Sequence, residues 1–178
     1  MLPTILSALA LIVALVALLR SRANTAGSPD SDREARRRLA QQIEGLESSI
    51  QAQNRWISML AAGEPLTPEM IADDQPFHDV DPSAAQKLAQ EQGAVWIDVR
   101  TAQEVASGMI PGATWIPMDQ IETRLAEIPR DRALLVYCAS GGRSAGVCQF
   151  LATQGFLRLH NLQDGIRSWT GALHRPSA

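Results

Sequence analysis

The feature that most constrains this chain is the run Leu134-Leu135-Val136-Tyr137-Cys138-Ala139-Ser140-Gly141-Gly142-Arg143-Ser144. Its first four residues are apolar or aromatic and read as a short buried strand. A cysteine closes the strand. A loop of small residues follows, and then Ala145-Gly146-Val147-Cys148-Gln149-Phe150-Leu151-Ala152 reads as an amphipathic helix. Strand, tight loop and helix in that order build a site at the carboxyl ends of an open α/β sheet.

The loop also dictates a chemistry. Gly141 and Gly142 admit backbone dihedrals closed to other residues. Successive N–H groups can then turn inward as a nest, and the next helix adds its positive end. Arg143 supplies a full charge. All three favour thiolate over thiol at Cys138, so its pKa is expected below the free value of about 8.5. The result is an anion cradle around an activated sulfur. The plainer alternative is a small buried cysteine beside an ordinary Gly-Gly-Ser turn. The flanking segments decide between them.

Those segments alternate strand with helix. Strands are predicted over 77–80, 94–98, 113–116, 133–137 and 156–159. Helices are predicted over 83–92, 102–107, 120–128, 143–154 and 166–170. This alternation argues a mostly parallel sheet covered on both faces. Two cysteines ten positions apart make no disulfide framework, and no Cys/His cluster has metal-ligand spacing. A net charge of −3 gives no support for nucleic-acid binding.

Four segments together resemble the rhodanese family of thiosulfate and persulfide sulfurtransferases. Tyr137-Cys138-Ala139-Ser140-Gly141-Gly142-Arg143-Ser144-Ala145 is similar to its active loop. Val95-Trp96-Ile97-Asp98-Val99-Arg100 resembles its strand ending in Asp-Val-Arg. Gly108-Met109-Ile110-Pro111-Gly112-Ala113-Thr114-Trp115-Ile116-Pro117 resembles its Gly-His-Ile-Pro-Gly segment, with Met109 where His is common. Leu159-His160-Asn161-Leu162-Gln163-Asp164-Gly165-Ile166-Arg167-Ser168-Trp169 resembles its closing motif.

The resemblance implies that Cys138 is a nucleophile forming a persulfide and that Arg143 clamps a small anionic sulfur donor. Ala139, Ser140, Gly141, Gly142 and Ser144 would line the donor site, a thiol or cyanide would accept the sulfur, and no cofactor or metal is needed. Asp98 and Arg100, at a strand's carboxyl end, are expected either to approach the donor or to form a structural ion pair. Cys148 is either a resolving thiol or a packed core residue. Four residues between Cys138 and Arg143 make the shorter loop that the family rule assigns to sulfur, ahead of a phosphatase or arsenate reductase. A binding or scaffold module with little catalytic activity is the rival reading from another class.

The N-terminal third has a different character. Leu2 to Leu19 carries no charged residue, and as a helix it would be ~27 Å long, close to the ~30 Å of a hydrocarbon core. Arg20, Arg22 and then Arg33, Arg36, Arg37 and Arg38 follow, while the other flank has no basic side chain. A membrane anchor over 1–20 with the bulk of the chain in the cytoplasm is therefore expected. The alternative is a cleaved signal peptide and a secreted or periplasmic product.

A linker over 21–32 precedes an amphipathic helix over 33–62. Leu39, Ile43, Leu46, Ile50, Gln53, Ile57 and Leu60 recur there at spacings of 4 and 3. That stripe either dimerises the protein as a parallel coiled coil over 39–60 or packs on the following domain or the bilayer. A connector over 63–76 leads to the rhodanese-like domain, 77–175.

Overall fold

The computed structural model describes residues 29–175. The chain divides into two compact units, one ending at Ile50 and the other beginning at Gln51. The expected anchor over residues 2–19 lies outside the described residues. No helix among the described residues is long and apolar enough to cross a membrane.

Helix α1 is Pro29–Ala61, so it starts inside the expected linker. Pro29 suits a first helical position, and Asp30 and Asp32 in the first turn favour the positive helix end. Leu39, Ile43, Leu46, Ile50, Ile57 and Leu60 are all exposed. Within the second unit the helix packs through another face. Met59 is buried, and Arg55 reaches Asp74 at 2.5 Å. In that unit the heptad stripe is therefore not the face that covers the domain, which corrects that alternative. Ile57 and Leu60 lie to either side of Met59 in sequence and point away from it.

A short helix α2, Pro68–Ala72, is capped by Thr67. The sheet then forms from β1 His78–Val80, β2 Val95–Asp98, β3 Thr114–Trp115, β4 Leu134–Tyr137 and β5 Leu159–Leu162. Its order is β1-β5-β4-β2-β3 and every pairing is parallel. Helices α3 Pro82–Gln92, α4 Ala102–Val105 and α5 Gly142–Thr153 join the strands. Asp81 starts α3 by accepting bonds from the Ser83 and Ala84 N–H groups at 2.8 and 2.9 Å. Gly93 ends it in the left-handed conformation.

The central strand β4 is buried on both faces, as parallel strands between helices are. Leu134, Val136 and Cys138 join one core with Val147, Cys148 and Leu151 of α5. Leu135 and Tyr137 join the other, with Trp96, Ala85 and Leu162. This two-residue alternation fixes which way the end of β4 points. Leu135 is fully buried, and truncating such a leucine to alanine costs about 2–5 kcal/mol.

Three predicted elements are corrected. The strand expected over 156–159 lies at Leu159–Leu162. The helix expected over 166–170 is a single 3₁₀ turn, Gly165–Ser168. The expected helix over 120–128 is two separate 3₁₀ turns, Met118–Gln120 and Leu125–Glu127. Thr123 turns its hydroxyl back to the Gln120 carbonyl at 3.0 Å, which competes with a regular helical ladder. Pro117 and Pro129 confine the segment at both ends. Ile121 and Ile128 are nonetheless buried in the core.

Candidate functional site

β4 delivers Cys138 to the carboxyl edge of the sheet, where the residue is buried. The loop then turns at Gly141, whose φ of 88° is open to glycine. Helix α5 begins at Gly142, and the Ser144 N–H in its first turn is directed back toward the sulfur. Burial pushes the Cys138 thiol up. The Ser144 hydroxyl and the backbone N–H groups of Ser144, Ser140 and Gly141 pull it down, and together they win, so its pKa lies below the ordinary thiol value. Ala139 is half-buried, and Ser140 and Gly142 are exposed at the loop's outer surface.

The loop rests on the segment after β5. The Cys138 carbonyl accepts from Ile166 N–H at 2.9 Å and the Ala139 carbonyl from Arg167 N–H at 3.4 Å. Gly165 lies beneath, with φ of 62°, and a Cβ there would sit 2.5 Å from the Cys138 oxygen. Only glycine permits that approach.

Arg143 does not stand alone. Glu104 takes its two terminal nitrogens at 2.5 and 2.9 Å, the two-pronged geometry that guanidinium and carboxylate favour. Glu104 also closes a capping box with Thr101 at the start of α4. The Arg143 guanidinium beside Glu104 holds its carboxyl down at about 2. Sequence reasoning missed this residue. The Thr101-x-x-Glu104 pattern announces a helix start but says nothing of the arginine.

Ser144 is buried. Its Oγ lies 3.4 Å from Cys138 Sγ, 3.0 Å from the Gly141 carbonyl and 2.6 Å from Asn161 Oδ1. Asn161 Nδ2 donates to Asp79 Oδ1 at 2.7 Å, and Gln75 Nε2 donates to the other Asp79 oxygen at 3.1 Å. Asn161 and Asp79 are the other functional candidates missed. Both stand at one register position of the β1–β5 pair, which pairing alone reveals.

Asp98 and Arg100 need correction as donor-binding residues. The Arg100 guanidinium is buried and bonds Asp98 Oδ2 at 2.6 Å, the Gly108 carbonyl at 2.8 Å and the Glu104 carbonyl at 3.2 Å. With its donors engaged inside the fold, the pair is structural. It fixes the β2–α4 turn, and through it the backbone that carries Glu104. Cys148 is likewise packed in the core. Burial first and Asp79 second push its thiol far up, so it stays neutral. Trp115 is part-exposed, with its indole N–H on the Arg100 carbonyl at 2.9 Å. Among the described residues no cluster of His, Cys, Asp or Glu could hold a metal.

Comparison with known proteins places this geometry among relatives. Residues 81–172 match the family model of the rhodanese-like domain. A protein of Allochromatium vinosum named sulfurtransferase is 45% identical over 87 residues, which cover 49% of this chain and 81% of that protein. A thiosulfate sulfurtransferase (GlpE) of Pseudomonas savastanoi pv. phaseolicola is 34% identical over 93 residues, 52% of this chain and 87% of that one. A rhodanese-like domain protein from Staphylococcus aureus superimposes with a TM-score of 0.52 at 31% identity, covering 57% of this chain and all of its own.

Proposed function

Because the chain belongs to the rhodanese-like domain family, we propose that it is a sulfurtransferase that carries a sulfane sulfur on Cys138. The observation that carries the reading is the Cys138 sulfur itself, held by one hydroxyl and three backbone N–H groups. Its relatives named as sulfurtransferases support it.

The Cys138 thiolate attacks the outer sulfur of thiosulfate or of a persulfide donor. The donor's S–S bond breaks, and sulfite or the donor thiolate leaves with the electron pair. Cys138 is left as a persulfide whose terminal sulfur is anionic. A thiolate or cyanide then attacks that terminal sulfur, and the Cys138 thiolate leaves with the electrons it brought. The loop N–H groups stabilise the anionic sulfur in place. Arg143 offsets the donor's charge, and Glu104 fixes where that charge stands.

Two further parts of the reading concern residues before the domain. Residues 2–19 anchor the chain in a membrane with the domain on the cytoplasmic side, supported by the uncharged run and the arginines that follow it. Residues 39–60 pair two copies of the chain. Ile43, Ile50 and Ile57 share one heptad position and Leu39, Leu46 and Leu60 the other, the arrangement that favours two parallel strands. All six are exposed in the single chain.

The test of the central claim is thiosulfate-to-cyanide transfer by the purified full chain, with mass spectrometry after thiosulfate alone. Turnover and the gain of one sulfur, both absent in Cys138→Ser, are expected. A folded wild-type chain that gains no sulfur overturns the enzyme and leaves a docking module.

A further inference from the structure

The geometry points to Asn161, held by Asp79, as the residue that decides where the single proton of Ser144 lies. It deepens the sulfurtransferase reading by naming a positioning residue for the same sulfur.

A serine hydroxyl has one proton to give. Three acceptors stand within reach of Ser144 Oγ: Asn161 Oδ1 at 2.6 Å, the Gly141 carbonyl at 3.0 Å and Cys138 Sγ at 3.4 Å. An asparagine amide has a donor end and an acceptor end, and its neighbours decide which way it faces. Here the deciding neighbour is the Asp79 carboxylate, which only accepts. Asn161 therefore turns Nδ2 toward Asp79, at 2.7 Å. The Gln75 amide on the second Asp79 oxygen holds that carboxylate in place. Asn161 Oδ1 must then face Ser144. It carries no proton, so the contact of 2.6 Å requires the proton of Ser144.

The Gly141 carbonyl already accepts the Ala145 N–H at 3.0 Å, so the proton has two competing stations, Asn161 Oδ1 and the sulfur. While Cys138 is a neutral thiol, the Ser144 hydroxyl donates to Asn161 Oδ1 and turns a lone pair toward the sulfur, accepting the S–H. When Cys138 ionises, the hydroxyl rotates to donate to the thiolate, and Asn161 Oδ1 loses its partner. Asn161 thus opposes the loop N–H groups and keeps the sulfur more basic than they alone would leave it. A more basic thiolate is a stronger nucleophile toward sulfur.

Arg143 on α5 acts on the sulfur electrostatically and is paired with Glu104 on α4, and Asp79 on β1 stands behind Asn161. His160 on β5 adjoins Asn161, and burial with His78 nearby pushes it down to about 4, so it stays neutral above that.

The test is a double-mutant cycle on the full chain, reading the ultraviolet absorbance of the Cys138 thiolate against pH with Cys138→Ser as the blank. Asp79→Asn removes a negative charge and also frees the Asn161 amide to turn. Both effects favour the thiolate. In a Ser144→Ala background only the charge effect remains. The increase in thiolate-to-thiol ratio caused by Asp79→Asn is expected to be about threefold or more larger with Ser144 present than in the Ser144→Ala background. Equal increases in the two backgrounds overturn the proposal. Asn161→Leu, which removes the acceptor outright, gives the same comparison if Asp79→Asn unfolds the chain. The titration uses no sulfur donor, so its failure is distinct from a failure of sulfur transfer.

Discussion

Glu104 grips Arg143 with both carboxylate oxygens, across 39 positions of sequence. The grip sets a pH dependence. The Glu104 pKa falls from the ordinary range to about 2, so the stabilisation is complete above about 4.5 and is lost as the pH falls through about 2. Both side chains are about one-third exposed, and solvent screening holds the pair to about 1 kcal/mol. Urea unfolding is expected to show wild type ahead of Glu104→Gln by about that amount near neutral pH, with the gap closing toward pH 2. A gap that stays constant through the acid range would show that the two groups are not coupled.

Arg100 and Asp98 are buried against each other. Removing one leaves the other charged and unpaired in the interior, at a cost of about 3–5 kcal/mol. Asp98→Ala and Arg100→Met are therefore expected to lower the thermal midpoint sharply. If either variant melts like wild type and instead loses only donor affinity, the pair acts on the donor after all.

Gly165→Ala puts a methyl group 2.5 Å from the Cys138 oxygen and 2.6 Å from Ala139 C and Ser140 N, at a backbone angle that non-glycine residues avoid. About 2 kcal/mol or more of stability is expected to be lost, with thiolate formation at Cys138 disturbed as the loop shifts. Calorimetry and the thiolate titration check the two effects separately.

Ser144→Ala removes the one side-chain hydroxyl at the sulfur and leaves the backbone N–H groups. The Cys138 pKa is expected to rise, with the thiolate-to-thiol ratio at neutral pH falling about threefold, half a pKa unit. An unchanged pKa would mean that burial and the loop amides alone set the sulfur's acidity, and a fall would mean that the hydroxyl favours the thiol.

Ile50→Glu places a charge in the middle of the heptad stripe, where two copies would bury it. The wild-type chain in detergent is expected to sediment as a dimer and this variant as a monomer, with sulfur transfer per Cys138 unchanged. A monomeric wild-type chain would end the pairing proposal.

Four of the five strands were legible because they obey simple patterns; β5 was placed three residues early, because the buried polar His160 and Asn161 break its apolar run. Leu134 to Tyr137 is an unbroken apolar run, and Gly93 and Gly155 mark helix ends. The loop was legible because Gly141 and Gly142 follow a strand-ending cysteine. What stayed hidden depends on direction and pairing. Arg100 occupies the expected strand end, but its guanidinium turns back onto Asp98, and no residue pattern encodes that rotamer. Glu104 reads as a capping residue until α4 is placed beside the loop. Asp79 and Asn161 meet only through the β1–β5 register. The segment 120–128 has helical spacing, and spacing alone does not register the back-bonding of Thr123 that competes with it.

The seat beneath Cys138 has a consequence for transplanting or reshaping the site. Much of the fastening of the 138–144 loop belongs to residues 165–167, which hold it from below through Ile166, Arg167 and the bare Cα of Gly165. A graft of the loop alone into another scaffold would leave those attachments behind. Lengthening the loop by one residue would lift its carbonyls off the same seat. The two segments form one inheritable part, and a library that varies one without the other would sample mostly broken sites.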